Sequence, residues 1–139
     1  MSEAEGLFGE EHVRRYRETG GKVGHIWREG STILLLTTTG RTSGEKRTAP
    51  LIYAQDGDRY VIVASKGGAP EHPGWYQNLE KHPEVELQVK DERFRARARV
   101  ATGEERARLW RLANTVWKYY DDYAKKTSRE IPVVVLERI

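Results

Sequence analysis

Two adjacent stretches, Glu84 to Lys90 and Arg93 to Ala101, alternate apolar and polar residues almost without a break. Val85, Leu87 and Val89 share one face against Glu84, Glu86 and Gln88; Phe94, Ala96, Ala98 and Val100 oppose Arg93, Arg95, Arg97 and Arg99. A period of two is the period of a strand with one wet side. Lys90-Asp91-Glu92 is short enough to fold the pair into a hairpin. An all-helical chain is thereby excluded, and so is a parallel sheet buried on both faces. The arginine row invites a nucleic-acid reading, but the glutamates of the neighbouring strand offer cross-strand charge pairing, and a solvated face explains both rows. No exposed aromatic platform for stacking bases appears on these strands, so no nucleic-acid partner is expected.

Four further strands read from β-branched and apolar runs: Thr32 to Thr38, Arg47 to Gln55, Arg59 to Ala64 and Pro132 to Arg138. Asp56-Gly57-Asp58 supplies a tight turn between two of them. Leu7 to Glu18 reads as a short amphipathic helix stopped by Gly20 and Gly21. Thr102 and Glu105 stand at capping-box spacing, opening a helix expected to bury Trp110, Ala113, Trp117, Tyr120 and Ala124, with a break available near Asn114. A shorter helix follows Pro73. Six antiparallel strands with flanking helices make an α+β protein, a sheet or a barrel. The 139 residues fit one domain, 1–139, with 1–24 as an N-terminal helical extension. The longest apolar run, Ile33 to Leu36, is far short of the ~20 residues of a membrane-spanning helix, and no signal-peptide pattern opens the chain; a cytoplasmic location is expected. Cysteine is absent, and His12, His25, His72 and His82 show no ligand spacing, so no metal is expected.

Two loops concentrate chemistry. Gly40-Arg41-Thr42-Ser43-Gly44-Glu45-Lys46-Arg47 joins two strands and offers backbone N–H groups and cations to an anion, although an exposed hairpin with solvated charges is the plainer reading. Ala64-Ser65-Lys66-Gly67-Gly68-Ala69-Pro70 turns sharply at a strand end, where backbone can approach a ligand. His72 to Leu79 then starts a helix with early aromatics, and Trp75 either packs or flanks a planar ring. Ser65 lacks any nucleophile motif and is better suited to donate a hydrogen bond. Tyr119, Tyr120 and Tyr123 lie within about a turn of one another, so at least one phenol is expected to face a cavity.

Taken together, LLLTTTGRTSGEKRTAPLIY, VASKGGAPEHPGWYQNL and YYDDYAKKTSREIPVVVLER resemble the deazaflavin-dependent nitroreductase and quinone reductase family. The combination of T-G-R-x-S-G, A-S-x-G-G, H-P-x-W-Y-x-N-L and R-E-I-P carries the resemblance. It implies a split β-barrel of the flavin-reductase type that binds coenzyme F-420, an 8-hydroxy-5-deazaflavin. It implies hydride transfer to a quinone, a nitroaromatic or an activated enone. By the same resemblance Arg41, Thr42, Ser43, Lys46 and Arg47 hold the coenzyme's anionic side chain, and Thr48, Ala49, Pro50, Leu51 and Ile52 line it. Val63, Ala64, Ser65 and Lys66 meet its ring, and Gly74, Trp75, Tyr76, Gln77 and Asn78 form the opposite wall. Tyr120 and Tyr123 close the site, with Ser65 and the tyrosines as the catalytic candidates. The family's proline-containing stretch before these tyrosines is replaced here by Trp117-Lys118-Tyr119. The resemblance also implies a monomer or homodimer. Peripheral contact with the inner face of the cell membrane would fall to Leu7–Tyr16, which is short and acidic. The rival readings are an FMN-binding barrel, a non-catalytic deazaflavin carrier and a nucleic-acid-binding barrel.

Overall fold

The computed structural model describes residues 6–139. Seven strands form one antiparallel sheet in the order β2-β1-β5-β6-β7-β4-β3. They are β1 (Ile33–Thr39), β2 (Lys46–Ile52), β3 (Ala54–Asp56), β4 (Arg59–Val63), β5 (Glu84–Val89), β6 (Glu92–Val100) and β7 (Val133–Arg138). The strand expected over Arg47–Gln55 is two strands because the chain changes partner at Tyr53: β2 pairs with β1, whereas β3 pairs with β4. These are the two edges of the sheet, and a single residue joins them. A sheet whose edges are that closely tethered has to curl until they approach, which is the geometry of a barrel.

The inside of the curl is the main core. Leu34, Leu36, Ile62, Val85, Leu87, Ala96, Val134 and Leu136 meet there with Tyr53. The alternation of the β5–β6 hairpin therefore holds, with Glu84 opposite Arg97 and Glu86 opposite Arg95. Arg97 reaches Glu84 at 3.2 Å, and Arg99 reaches Glu137 at 3.1 Å. Val100 is an exception, 41% exposed, because it ends its strand past the rim of the core.

Four helices cover the openings and outer faces. α1 (Gly9–Thr19) ends at Gly20, whose φ of 61° is the left-handed turn that the Gly20-Gly21 pair anticipated. It packs Val13 and Tyr16 on Ile33 and Leu35. The Tyr16 hydroxyl donates to Ile33 O at 2.9 Å and accepts from Lys90 N at 2.7 Å, fastening the helix to β1 and to the turn between β5 and β6. Burial pushes this phenol up to about 12. α2 (Gly74–Lys81) closes one end of the core with Tyr76 and Leu79.

The long helix expected after Thr102 is divided into α3 (Gly103–Val116) and α4 (Tyr120–Lys125). The break comes at Trp117, which is extended (φ −140°, ψ 99°). Asn114 takes part, accepting from Asp121 N at 3.3 Å while donating to Trp110 O at 2.8 Å. The indole freed by the break stacks on Trp27, with centroids 5.8 Å apart and planes 24° apart. Leu109 is the fully buried residue of α3, and Ala124 is exposed. The capping box is also absent: Thr102 precedes the helix without a side-chain cap, and the Glu105 carboxylate that would complete the box is held by Arg99 at 2.6 Å.

Candidate active site

The last residues of β4 and the turn after them build the site. Ser65 leaves the strand in a right-handed conformation (φ −78°, ψ −40°), and Lys66, Gly67 and Gly68 follow with φ of 47°, 63° and 86°. Such a run is costly for side chains with a Cβ, and Gly68 has a second reason to be glycine. A Cβ there would stand 2.8 Å from Tyr123 O and 3.0 Å from Lys126 Cβ. The turn thus docks directly against α4 and brings Ser65 to the same opening as Tyr120 and Tyr123.

That opening is a cleft of about 360 Å³. Of the residues expected at the site, Pro50, Leu51, Ile52, Val63, Ser65, Lys66, Trp75, Tyr120 and Tyr123 line it. One wall is the end of β2, a second is Trp75 on the first turn of α2, and α4 makes the third. Its lining is mostly apolar, with a few polar groups converging, as in a site for a flat organic ligand. Ser65 is buried, yet among the described residues its hydroxyl has no hydrogen-bond partner. The same holds for the Tyr120 hydroxyl. Tyr120 packs among Val63, Ala113 and Ile131, and this burial raises its pKa far above the usual phenol range, so the proton stays on. Tyr123 accepts from Trp117 Nε1 at 3.3 Å, and Tyr119 packs edge-on against Trp117 instead of facing the cleft.

Other expected residues lie beside the cleft. Arg41 folds back on α2, donating to Asn78 Oδ1 at 2.8 Å and Gly74 O at 3.4 Å. Asn78 in turn donates to Thr38 at 3.1 Å, and so ties the Gly40–Lys46 loop to the sheet. Thr42 and Ser43 are exposed, and the Ser43 hydroxyl accepts from Glu45 N. Lys46 and Arg47 are exposed with glutamate partners, Glu86 at 3.8 Å and Glu45 at 3.3 Å. By register Arg47, Ala49 and Leu51 share the sheet face of Thr38, Leu36 and Leu34, whereas Thr48 points to the α1 side, where Arg17 donates to it at 2.9 Å. Ala64 and Tyr76 are core, and Gln77 donates to His72 O.

Sequence reasoning left several lining residues unassigned. Phe8, Gly9 and His12 from α1 and its approach, Trp27, and Trp117 complete the mouth. His12 is buried, with Nε2 2.9 Å from Gly24 O; that carbonyl can only accept, so Nε2 carries the proton. Desolvation lowers its pKa, outweighing the Gly24 contact. Arg129 of the R-E-I-P motif was unassigned as well, although it makes four contacts within the site's framework.

A family model described as F420H(2)-dependent quinone reductase matches residues 8–138. The chain belongs to this family. It is 46% identical over 130 residues to an F420H(2)-dependent quinone reductase of Mycobacterium tuberculosis strain H37Rv, a match covering 91% of this chain and 87% of that protein. A second relative from the same strain, a putative F420H(2)-dependent quinone reductase, is 37% identical, with 83% and 97% covered. Among solved structures, an F420-H2 dependent reductase superposes with a TM-score of 0.71 at 44% identity over 76% of this chain and 93% of that one. A chain described as a domain-swapped dimer gives 0.73 at 40% identity, with 92% and 95% covered. The heme storage protein HutZ from Vibrio cholerae, 14% identical with a TM-score of 0.62 over 96% of this chain and 92% of that one, shares the split-barrel fold alone.

Proposed function

We propose that this chain is an oxidoreductase that uses reduced coenzyme F-420 to reduce a quinone-type acceptor in the cleft beside Ser65. One observation carries the reading: two hydroxyls without partners among the described residues, on Ser65 and Tyr120, share an apolar cleft in a chain 46% identical to a protein named for this reaction. The residues fit the coenzyme. Leu51, Val63 and Trp75 offer apolar walls to a planar ring, and Arg41, in contact with Gly74 beside Trp75, together with Lys46 and Arg47 further along β2, offers cations to its phosphodiester and glutamates. When bound, the coenzyme supplies the hydride.

The protein's own share is placement and charge. Apolar walls exclude water, so each hydrogen bond inside counts for more than at the surface. Ser65 Oγ donates to whichever oxygen faces it, and Tyr120 Oη, neutral throughout the working pH range, donates to an acceptor oxygen that gains negative charge. Trp117 and Trp27 bound the mouth and restrict the acceptor's shape. Nitroaromatics and activated enones are flat electrophiles of similar size and belong to the same reading.

A homodimer is supported by the relative described as a domain-swapped dimer, and light scattering tests it. No helix among the described residues is long and apolar enough to cross a membrane. Peripheral contact is supported by Phe8 and Ile26, large apolar side chains 74% and 53% exposed, and co-sedimentation with vesicles tests it. For the reaction, the protein is mixed with reduced coenzyme F-420 and the coenzyme's absorbance is followed as menadione or a nitroimidazole is added. Oxidation well above the protein-free rate is expected. No acceleration with either acceptor, or a purified protein carrying FMN, would overturn the reading.

A further inference from the structure

We infer that Arg129 is the positioning residue of this site: its guanidinium holds the Ser65 turn in its strained conformation and ties that turn to the opposite wall. The inference rests on the functional reading above. Arg129 Nη2 donates to Ser65 O at 2.8 Å, Nη1 to Ala64 O at 3.2 Å and Nε to Ala69 O at 2.9 Å. Three carbonyls from one six-residue segment thus converge on a single planar cation. Nη1 also donates to His72 Nδ1 at 3.0 Å, which leaves the His72 proton on Nε2. His72 packs on Tyr76, 4.8 Å between centroids, and its carbonyl accepts from Gln77 Nε2 at 3.1 Å, so this arm reaches the start of α2 and the Trp75 wall. Three separate sequence motifs, A-S-x-G-G, H-P-x-W-Y and R-E-I-P, meet at one side chain.

The turn needs such a hold. Ser65 and Lys66 make a right-then-left-handed step, followed by two more residues of positive φ, one of the sparsely populated backbone arrangements that persist only when surrounding contacts over-determine them. A right-then-left-handed step of this kind sets its successive N–H groups around a concavity suited to an electron-rich oxygen, while Gly68 N donates back to Ser65 O at 2.9 Å and closes the turn behind it. Arg129 lines no part of the cleft itself. It acts through Ser65, and its planar fork cannot be replaced by a lysine ammonium, which has no rigid geometry to span three carbonyls.

The test is Arg129→Lys, which keeps the charge. Amide hydrogen exchange without ligand is expected to quicken about tenfold or more at Ser65–Gly68 while the β5–β6 hairpin keeps its protection. Binding of oxidised coenzyme F-420, followed by its fluorescence, is expected to stay within about twofold, while kcat falls about tenfold with little change in the KM for menadione. Ser65→Ala placed on Arg129→Lys should cost less than it does alone, because both act through one hydroxyl. Unchanged exchange at Ser65–Gly68, or a lowered Tm with kcat intact, would overturn the inference. If Arg129→Lys fails to fold, the wild-type guanidinium decides. Its Nε–H should exchange together with the Ser65–Gly68 amides across a denaturant series, and exchange ahead of them would overturn the inference. Exchange is read without coenzyme, so a wild type that binds no coenzyme would defeat the functional reading separately.

Discussion

Two glycine-bearing loops flank this site, and they are built on opposite principles. The stretch after Gly40 is exposed through Arg47; Arg41 rests on Asn78, and the other two cations have partners that share them with solvent, Arg47 with Glu45 and Lys46 with Glu86. The Ser65–Gly68 turn starts from a buried serine, is wedged against α4 and is held from behind by a guanidinium. A loop of the first kind attracts a charged tail through adjustable side chains, because exposed charges gain little from fixed geometry. A loop of the second kind fixes atoms, which a reacting centre requires. Affinity for the coenzyme's anionic handle should therefore reside in the first loop and turnover in the second.

The sharpest way to break that contrast is Gly68→Ala. The added Cβ meets the Tyr123 carbonyl at 2.8 Å on a backbone with φ of 86°. Strain and overpacking together should cost about 2–5 kcal/mol and lower Tm by roughly 10 °C, with turnover nearly abolished in the protein that remains folded. Thermal melts and single-turnover rates measure both. An active, undisturbed Gly68→Ala would mean that the turn yields easily and does not fix the site. Next in size is Tyr120→Phe, which keeps the ring among Val63, Ala113 and Ile131 and removes only the donor. A loss in kcat of about 10²-fold is expected, against about tenfold for Ser65→Ala, each with coenzyme affinity nearly unchanged. Wild-type kcat in both variants would remove the donors from the mechanism.

The difference between the loops also marks what the sequence can convey. Strand alternation at Phe94, Ala96 and Ala98 was legible because period two is a local property, and so was the helix stop at Gly20. Both loops were legible as glycine-rich and basic. Their unequal rigidity was not, because Arg129 binds carbonyls, which every residue possesses and no motif announces. The division of Arg47–Gln55 at Tyr53 depends on which strands become the sheet's edges, a matter of global pairing. The break at Trp117 frees its side chain for an indole 90 positions earlier in the chain, a partner no local window contains. Thr102 and Glu105 show a local signal overruled: the capping glutamate is taken by Arg99. His12 and Trp27 at the mouth had no signal beyond belonging to a helix and a loop whose docking could not be read locally.

The exposed loop is sharpened by Arg47→Ala. Its only ion-pair partner among the described residues is Glu45, and both side chains are about two-thirds exposed. Such charges are worth up to about 1 kcal/mol, so the Kd for coenzyme F-420 should rise about threefold at low salt. The change should shrink as ionic strength rises, with kcat unaltered. A salt-independent effect on kcat would place Arg47 among the fixed elements and erase the distinction between the two loops.

The smallest effect concerns how α1 is held over the mouth. His12 bridges α1 to Gly24, and burial lowers its pKa below the ordinary histidine value; His25, 2.8 Å from the Tyr53 hydroxyl, is lowered by burial and by Lys90. In the unfolded chain both rings recover their ordinary affinity for protons, so that state binds more protons as the solution is acidified. Their contribution to stability is present above the ordinary histidine pKa and is lost as pH falls through the lowered folded values. Tm should be lower at about pH 5 than at about pH 7.5, and His12→Asn, which cannot titrate, should flatten that slope. The tyrosine donor is neutral over the whole interval, so kcat should not follow Tm. A kcat that drops in step with Tm would mean that the tie from α1 to Gly24 belongs to the rigid part of the site.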